Sequence, residues 1–265
     1  VEVLENGNIY KGNERGEFTT NNGIIINANS FEYNKALNIL YAKGNVKIED
    51  IIKNYVIFTE DITYYKNEEK ILSRGKTNSI IESKYKLISN EILEYDKALN
   101  ILNAKGDVEI EDKINNYIIL AEDITYFKNE EKILTRGKTK SKIKSKYELT
   151  SENVLYLVTE NKLKSSKKST FKDNNSNVYI LDKFNYSINK EELKGENIIA
   201  ITNFDKPESD KFYFSNGIIN FKTENFIAKD TKIEIHNDIF GNADNNPRLK
   251  GVSSNKSPLN SFKNA

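Results

Sequence analysis

The chain has 265 residues, with 40 Lys and Arg against 39 Asp and Glu, a formal charge of +1. That balance leaves no global field to recruit nucleic acid, and the absence of Cys removes disulfide frameworks, thiolate zinc sites and iron–sulfur centres. At 37% hydrophobic and 30% charged, the chain can bury one face of its elements but not both, and no apolar run approaches the roughly 18 residues of a membrane helix.

In chain order, Val1-Glu-Val3 reads as the tail of a repeat unit cut just after its Gly-Asn. Asn6-Gly7 and Asn22-Gly23 predict hairpin turns. From 40 to 48, Leu40, Ala42, Gly44, Val46 and Ile48 occupy one face. Tyr41, Lys43, Asn45, Lys47 and Glu49 occupy the other. This period-two alternation marks a half-buried strand. Turn-like breaks near 34–35, 50–54, 66–69, 83–86, 96–97 and 112–116 are about 16 residues apart. They predict two strands of roughly a dozen residues in each 31-residue unit. The strand around Gly75 turns Ile71, Ser73, Thr77, Ser79 and Ile81 inward. Leu102, Ala104, Gly106, Val108 and Ile110 repeat the first pattern. Ile133, Thr135, Gly137, Thr139, Ser141 and Ile143 repeat the second. Lys138, Lys140, Lys142 and Lys144 then fall on a solvated exterior. Asn216-Gly217 predicts a further hairpin, and His236, the single His, an outward strand position.

The repeat is the dominant signal. Residues 31–92 align without gaps to 93–154, with 42 of 62 positions identical. Tyr33, Tyr64, Tyr95 and Tyr126 are each 31 apart, as are Gly44, Gly75, Gly106 and Gly137. A fixed period means stacked units, each completing its neighbour's core. Regularity decays after about 155, where Leu157 replaces the next Tyr and Lys168 the next Gly. A trace returns at Tyr186 and Gly195. Glycine in mid-strand marks a bend or a bulge. A row of glycines therefore predicts a sheet folded into a V, with the apolar face inside; a flat-sided β-solenoid or sandwich is the alternative. Rows of Ala, Gly, Ser and Thr fill the roughly 10 Å between facing sheets poorly, which favours a groove over a dry core.

No catalysis is expected. Arg74-Gly-Lys-Thr77 and Arg136-Gly-Lys-Thr139 imitate the end of a phosphate loop, but the opening Gly is replaced by Lys70 and Lys132. Glu60-Asp61 and Glu122-Asp123 recur with the repeat, which suits a structural role better than acid–base chemistry. No cofactor or metal is expected either.

The motif Asn38-Ile-Leu40-Tyr-Ala42-Lys-Gly44-Asn-Val46-Lys-Ile48, with Glu60-Asp-Ile-Thr-Tyr64, resembles the OstA-like repeat of the lipopolysaccharide-transport proteins LptA, LptC and the N-terminal domain of LptD. The copy from Asn100 to Ile110, with Glu122 to Tyr126, matches it as well. The resemblance is clear over 31–154 and divergent over 155–240. The stretch Ile239 to Val252 resembles the segment before the barrel in LptD. The family implies a V-shaped antiparallel β-jellyroll, or β-taco, that shields lipopolysaccharide acyl chains at the periplasmic face of the Gram-negative outer membrane. On that basis 1–240 is expected to be the jellyroll and 241–265 an exit linker toward a barrel beyond this sequence. Leu40, Ala42, Gly44, Val46, Ile48, Leu102, Ala104, Gly106, Val108 and Ile110 are expected to line the lipid groove. Gly44, Gly75, Gly106 and Gly137 are expected to mark the bend. The implied partners are lipopolysaccharide, an LptA-like bridge protein pairing with the edge at Val1, Glu2 and Val3, and an LptE-like lipoprotein through the barrel. A standalone LptA- or LptC-like bridge, or an adhesive solenoid with a filled core, are the competing expectations.

Overall fold

The computed structural model describes residues 1–237 and 247–256. Strand accounts for 67% of the chain and helix for 2%, so the fold is all-β, with antiparallel strands consistent with a β-jellyroll. The chain divides into two compact units, 1–135 and 136–265.

The first unit contains β1 (Glu2–Leu4), β2 (Ile9–Gly12), β3 (Gly16–Thr19), β4 (Ile24–Ala28), β5 (Ser30–Asn34), β6 (Ile39–Asp50) and β7 (Tyr55–Tyr65). It continues with β8 (Lys70–Arg74), β9 (Thr77–Ile81), β10 (Tyr85–Ser89), β11 (Ile92–Asp96), β12 (Ile101–Asp112), β13 (Tyr117–Phe127) and the start of β14 (Lys132–Ile143). The strands pair in two rows. One row runs β1, β2, β5, the first half of β6, the second half of β7, β8, β11, the first half of β12 and the second half of β13. The other runs β3, β4, the second half of β6, the first half of β7, β9, β10, the second half of β12 and the first half of β13.

Long strands cross between the rows at a crease. Register shifts between Lys43 and Val46, and again between Lys105 and Val108. At each shift two residues oppose one, a bulge that bends the strand. Gly44 and Asn45 have φ of 77° and 47°, and Gly106 and Asp107 have 81° and 49°. Glu60 stands opposite the first bulge, its Oε2 3.4 Å from the Asn45 amide, which gives the recurring acidic pair a place in the crease. Backbone bonds link one rung to the next along this line. The Asn29 amide reaches the Gly44 carbonyl at 2.9 Å, the Gly75 amide reaches Glu91 at 2.6 Å, and the Asn90 amide reaches Gly106 at 3.0 Å.

Three expectations change here. The rungs 70–81 and 85–96 are each split into two five-residue strands instead of one long one. The first break falls at Gly75, whose φ of 83° turns the chain out of the ladder. Val3 pairs with Tyr10 as Tyr64 pairs with Ile71, so the chain start occupies the Tyr64 level of its row rather than the stretch after a Gly-Asn. Asn216-Gly217 is no hairpin: both residues lie within a strand, opposite Glu196 and Gly195. Asn6-Gly7 and Gly23 do sit in turns, at φ of 52°, 89° and 84°.

The interior of the first unit tapers. Near the crease the fillers are small: Ala42, Ala104, Ser73 and Thr77 are at most 1% exposed. Ser73 Oγ lies 2.7 Å from Thr77 Oγ1, which donates to Thr59 Oγ1 at 3.1 Å. Away from the crease, tyrosine rings from opposite rows meet, Tyr55 with Tyr95 at 4.8 Å and Tyr85 with Tyr126 at 5.5 Å between centroids. The small residues therefore fit the narrow end of a wedge and do not leave the underfilled space expected from their size.

Two crease glycines differ in surroundings. A Cβ on Gly75 would meet nothing within 4 Å, whereas one on Gly106 would come within 2.7 Å of Glu91 Cβ and 2.6 Å of its Cδ. Gly75→Ala is expected to cost about 1–2 kcal/mol, the backbone term alone. Gly106→Ala is expected to cost more, and adding Glu91→Ala should recover part of the excess in urea unfolding. Equal costs at 75 and 106 would remove the crowding from the account.

The second unit contains the end of β14, then β15 (Tyr147–Glu152), β16 (Leu155–Leu157), β17 (Lys162–Ser165), β18 (Ser169–Asp173) and β19 (Val178–Leu181). It ends with β20 (Lys183–Ser187), β21 (Glu192–Ile201), β22 (Lys211–Asn220), β23 (Asn225–Glu234) and β24 (Arg248–Lys256). One row is β16, β17, β20 and then halves of β21, β22, β23 and β24. The other is β14, β15, β18, β19 and the remaining halves. Gly137 has φ of 74°, and its amide and carbonyl both bond to Asn153, at 3.0 and 3.2 Å. Residues 248–256, inside the stretch expected as an exit linker, form β24 against β23. The rest of that stretch, 241–246 and 257–265, lies outside the described residues.

Candidate functional site

The structure places the eight side chains named from the repeat in the interior. Leu40, Ala42, Val46, Ile48, Leu102, Ala104, Val108 and Ile110 are each 0 or 1% exposed. They are shut away from solvent instead of facing an open groove, save Leu40 at the border of a cavity near the chain start. Gly44 and Gly106 are half-buried on the crease.

Opposite the crease, the hairpin turns of the two rows approach along a mouth, and polar side chains close it in the first unit. Asp50 Oδ2 accepts the Tyr95 hydroxyl at 2.7 Å and the Lys97 ammonium at 2.6 Å. Its Oδ1 caps the Ile52 and Lys53 amides at 3.0 and 2.9 Å. Lys128 reaches Glu82 at 3.0 Å and Tyr55 donates to Asn100 at 3.2 Å. Asn22 donates to Glu69. Burial raises the Tyr95 and Tyr55 hydroxyls above the ordinary phenol range, with Asp50 adding to both shifts. Both therefore act as donors at any physiological pH.

The interior opens at the chain start and again in the second unit. At the start of the first unit, a cavity of about 760 Å³ is bordered by Val1, Glu2, Tyr10, Phe18, Tyr33 and Leu40. Its aromatic rings touch, Phe18 with Tyr33 at 5.6 Å and Tyr10 with Tyr33 at 6.5 Å. Here β1 and β3 end their rows, and Val1 and Val3 are 97% and 56% exposed.

In the second unit, a cavity of about 520 Å³ lies between the rows. Tyr147, Tyr179, Phe212, Phe214, Phe221 and Phe226 supply its aromatic surface. Its rim is polar, with Lys146, Asp173, Asn175, Asn177, Asn220 and Glu224 on the turns and the strand ends beside them. Phe221 stacks on Tyr147 at 5.0 Å and contacts Tyr179 at 5.0 Å, and Phe214 contacts Phe226 at 5.1 Å. Beside it Tyr147 donates to Glu191 at 2.8 Å, and Lys144 bonds the same carboxylate at 3.3 Å. Burial opposes ionisation of Glu191, but these two donors outweigh it and hold the carboxyl below its usual range. Volume and lining fall within the range of sites for apolar ligands. These residues were not singled out in the sequence, where the repeat directs the eye to 31–154.

Several other expected positions prove structural. Lys138, Lys140 and Lys142 are exposed, while Lys144 is half-buried beside Glu191. His236 follows the end of β23 and is half-buried, its Nδ1 2.8 Å from Asp210 Oδ1, so it is not an outward strand residue. Among the described residues no group of three or more His, Asp or Glu is placed to hold a metal ion. Nor, among the described residues, is any helix long and apolar enough to cross a membrane.

Fold and site together define an all-β protein of bent antiparallel strands with apolar space between two rows. No protein-family model matches the chain, and no curated protein matches it. Among solved structures it is similar to LptH, the LptA-homologous periplasmic component of the lipopolysaccharide transport device of Pseudomonas aeruginosa. Identity is 16% and TM-score 0.36, over 39% of this chain and 75% of that one. A likeness at this level carries no functional inference by itself.

Proposed function

We propose that this protein is a periplasmic lipopolysaccharide-conducting β-jellyroll, which shields acyl chains between its two rows while the sugars stay in water. The observation that carries the reading is the aromatic cavity of about 520 Å³ with its polar rim. It offers hydrocarbon an apolar wall and head groups a hydrated edge. Each buried methylene gains about 0.8 kcal/mol, so even a partly enclosed chain is held. The OstA-like repeat over 31–154 supports the same reading, and the segment Ile239 to Val252 favours the LptD N-terminal domain over a standalone bridge. The edge at Val1, Glu2 and Val3 is where an LptA-like bridge would add a strand; an LptE-like lipoprotein would meet only the barrel.

A filled structural solenoid is the second reading, and the near-zero exposure of the inward side chains of both rows in the first unit favours it. Photo-reactive residues separate the two. A probe at Phe212, which lines the cavity, is expected to capture lipopolysaccharide, while one at the exposed neighbour Lys211 captures none. No capture from 212, with circular dichroism native, would leave the solenoid standing.

A further inference from the structure

The contacts that shut the mouth of the first unit are not required by the repeat. Asp112 is the repeat equivalent of Asp50 and equally buried, yet its carboxylate is satisfied within its own turn by Ile114 and Asn115. Asp50 instead reaches across to the other row. The side chains of Asp50 and Lys97 are 0% and 7% exposed, so this ion pair lies beneath the rim. In both cross-mouth ion pairs the cation, Lys97 or Lys128, belongs to one row of turns and the carboxylate, Asp50 or Glu82, to the other. Directly beside the buried pair stand exposed apolar side chains: Ile51 and Ile52 follow Asp50, at 64% and 65% exposure, and Leu99 follows Lys97, at 60%.

We propose that these residues form a latch opened by an anionic amphiphile. Its acidic head group takes Lys128 and then Lys97 from their carboxylates. Its hydrocarbon meets Leu99, Ile51 and Ile52 on the rim before reaching Leu102, Val108 and Ile110 inside. The freed carboxylates become hydrated as the rows part, which removes the penalty of an unpaired buried charge. The proposal rests on the conduit reading and adds the condition under which the closed unit admits a chain.

The absence of native Cys makes thiol labelling a clean probe. Val108→Cys places a thiol at a position that is 0% exposed, and Ile198→Cys places a control at 1% exposure in the second unit. Dodecyl phosphate below its micellar concentration is expected to raise maleimide labelling at 108 by about tenfold, through local opening, and to leave 198 unchanged. Inorganic phosphate tests the head group alone and dodecyl maltoside the chain alone; neither should act. In the Lys97→Met background, which strands the buried Asp50 carboxylate without its cation, labelling at 108 is expected to be fast without any amphiphile. Tyr95→Phe, which keeps the ion pair, should give an intermediate rate and serves if the Lys97→Met variant does not fold. Equal acceleration by dodecyl maltoside, acceleration at 198 as well, or slow unresponsive labelling in folded latch variants would each overturn the latch. The conduit reading fails separately, through loss of lipopolysaccharide capture at Phe212.

Discussion

Val46→Asp and Val108→Asp are expected to unfold the first unit, while Lys47→Ala and Glu109→Ala, one residue away, change stability by no more than about 0.5 kcal/mol. Val46 and Val108 are 1% and 0% exposed, on strands that pair on both sides in their row. A carboxylate there has no cation and no water. It must either be protonated or drag solvent into the wedge, and an uncompensated buried charge costs about 3–5 kcal/mol. That is a large share of the roughly 5–15 kcal/mol that holds a domain together. Lys47 pairs with Glu49 on the outer face, where an exposed ion pair contributes about 0–1 kcal/mol. Urea unfolding followed by circular dichroism reads the contrast. A Val108→Asp variant that loses less than about 1 kcal/mol would mean the inner face is wet, and the packed interior described here would be wrong.

The strand class and the crease were legible because each has a local cause. Alternation at period two follows from the pleat, and glycines spaced by 31 residues mark where the backbone needs left-handed φ. The splitting of rungs at Gly75 and Asn90 was not legible, because Gly44 and Gly75 occupy the same phase of the period and only their neighbours decide whether the ladder continues. The mouth depends on residues 45–47 apart, such as Tyr95 and Lys97 with Asp50. Alternation places such residues at strand ends but says nothing of which turns meet. The aromatic cavity was missed for a different reason. Its signal is compositional: Phe204, Phe212, Phe214, Phe221 and Phe226 crowd a region where the repeat has already decayed. The repeat diverges there, and the large flat side chains that replace it at irregular spacing line the space between the two rows.

Asp50→Ala is expected to cost about 3–5 kcal/mol and Asp112→Ala about 1–2 kcal/mol, although the two positions are one repeat apart and share the motif Ile-Glu-Asp. Both carboxylates cap their own turns, so each substitution loses two backbone bonds of similar length. Only Asp50 carries a buried ammonium as well. Removing it leaves Lys97 buried without its counter-ion and Tyr95 without its acceptor, and the larger share of the cost is the desolvated charge left behind. Asp112 loses the Asn115 side chain, which is neutral and can turn to water. The sequence and the strand register hold the reason: Tyr156 stands opposite Leu163 as Tyr95 stands opposite Leu102, which puts Val158 in the place of Lys97, so the cation is lost while the acidic residue is kept. Converting Lys97 to Met in the Asp50→Ala background should therefore restore stability, since an apolar side chain of similar length can occupy the site without a charge. The same Lys97→Met change alone should be destabilising, because it strands Asp50. A cycle in which the double variant is no more stable than Asp50→Ala would show that the ion pair contributes nothing beyond the turn cap.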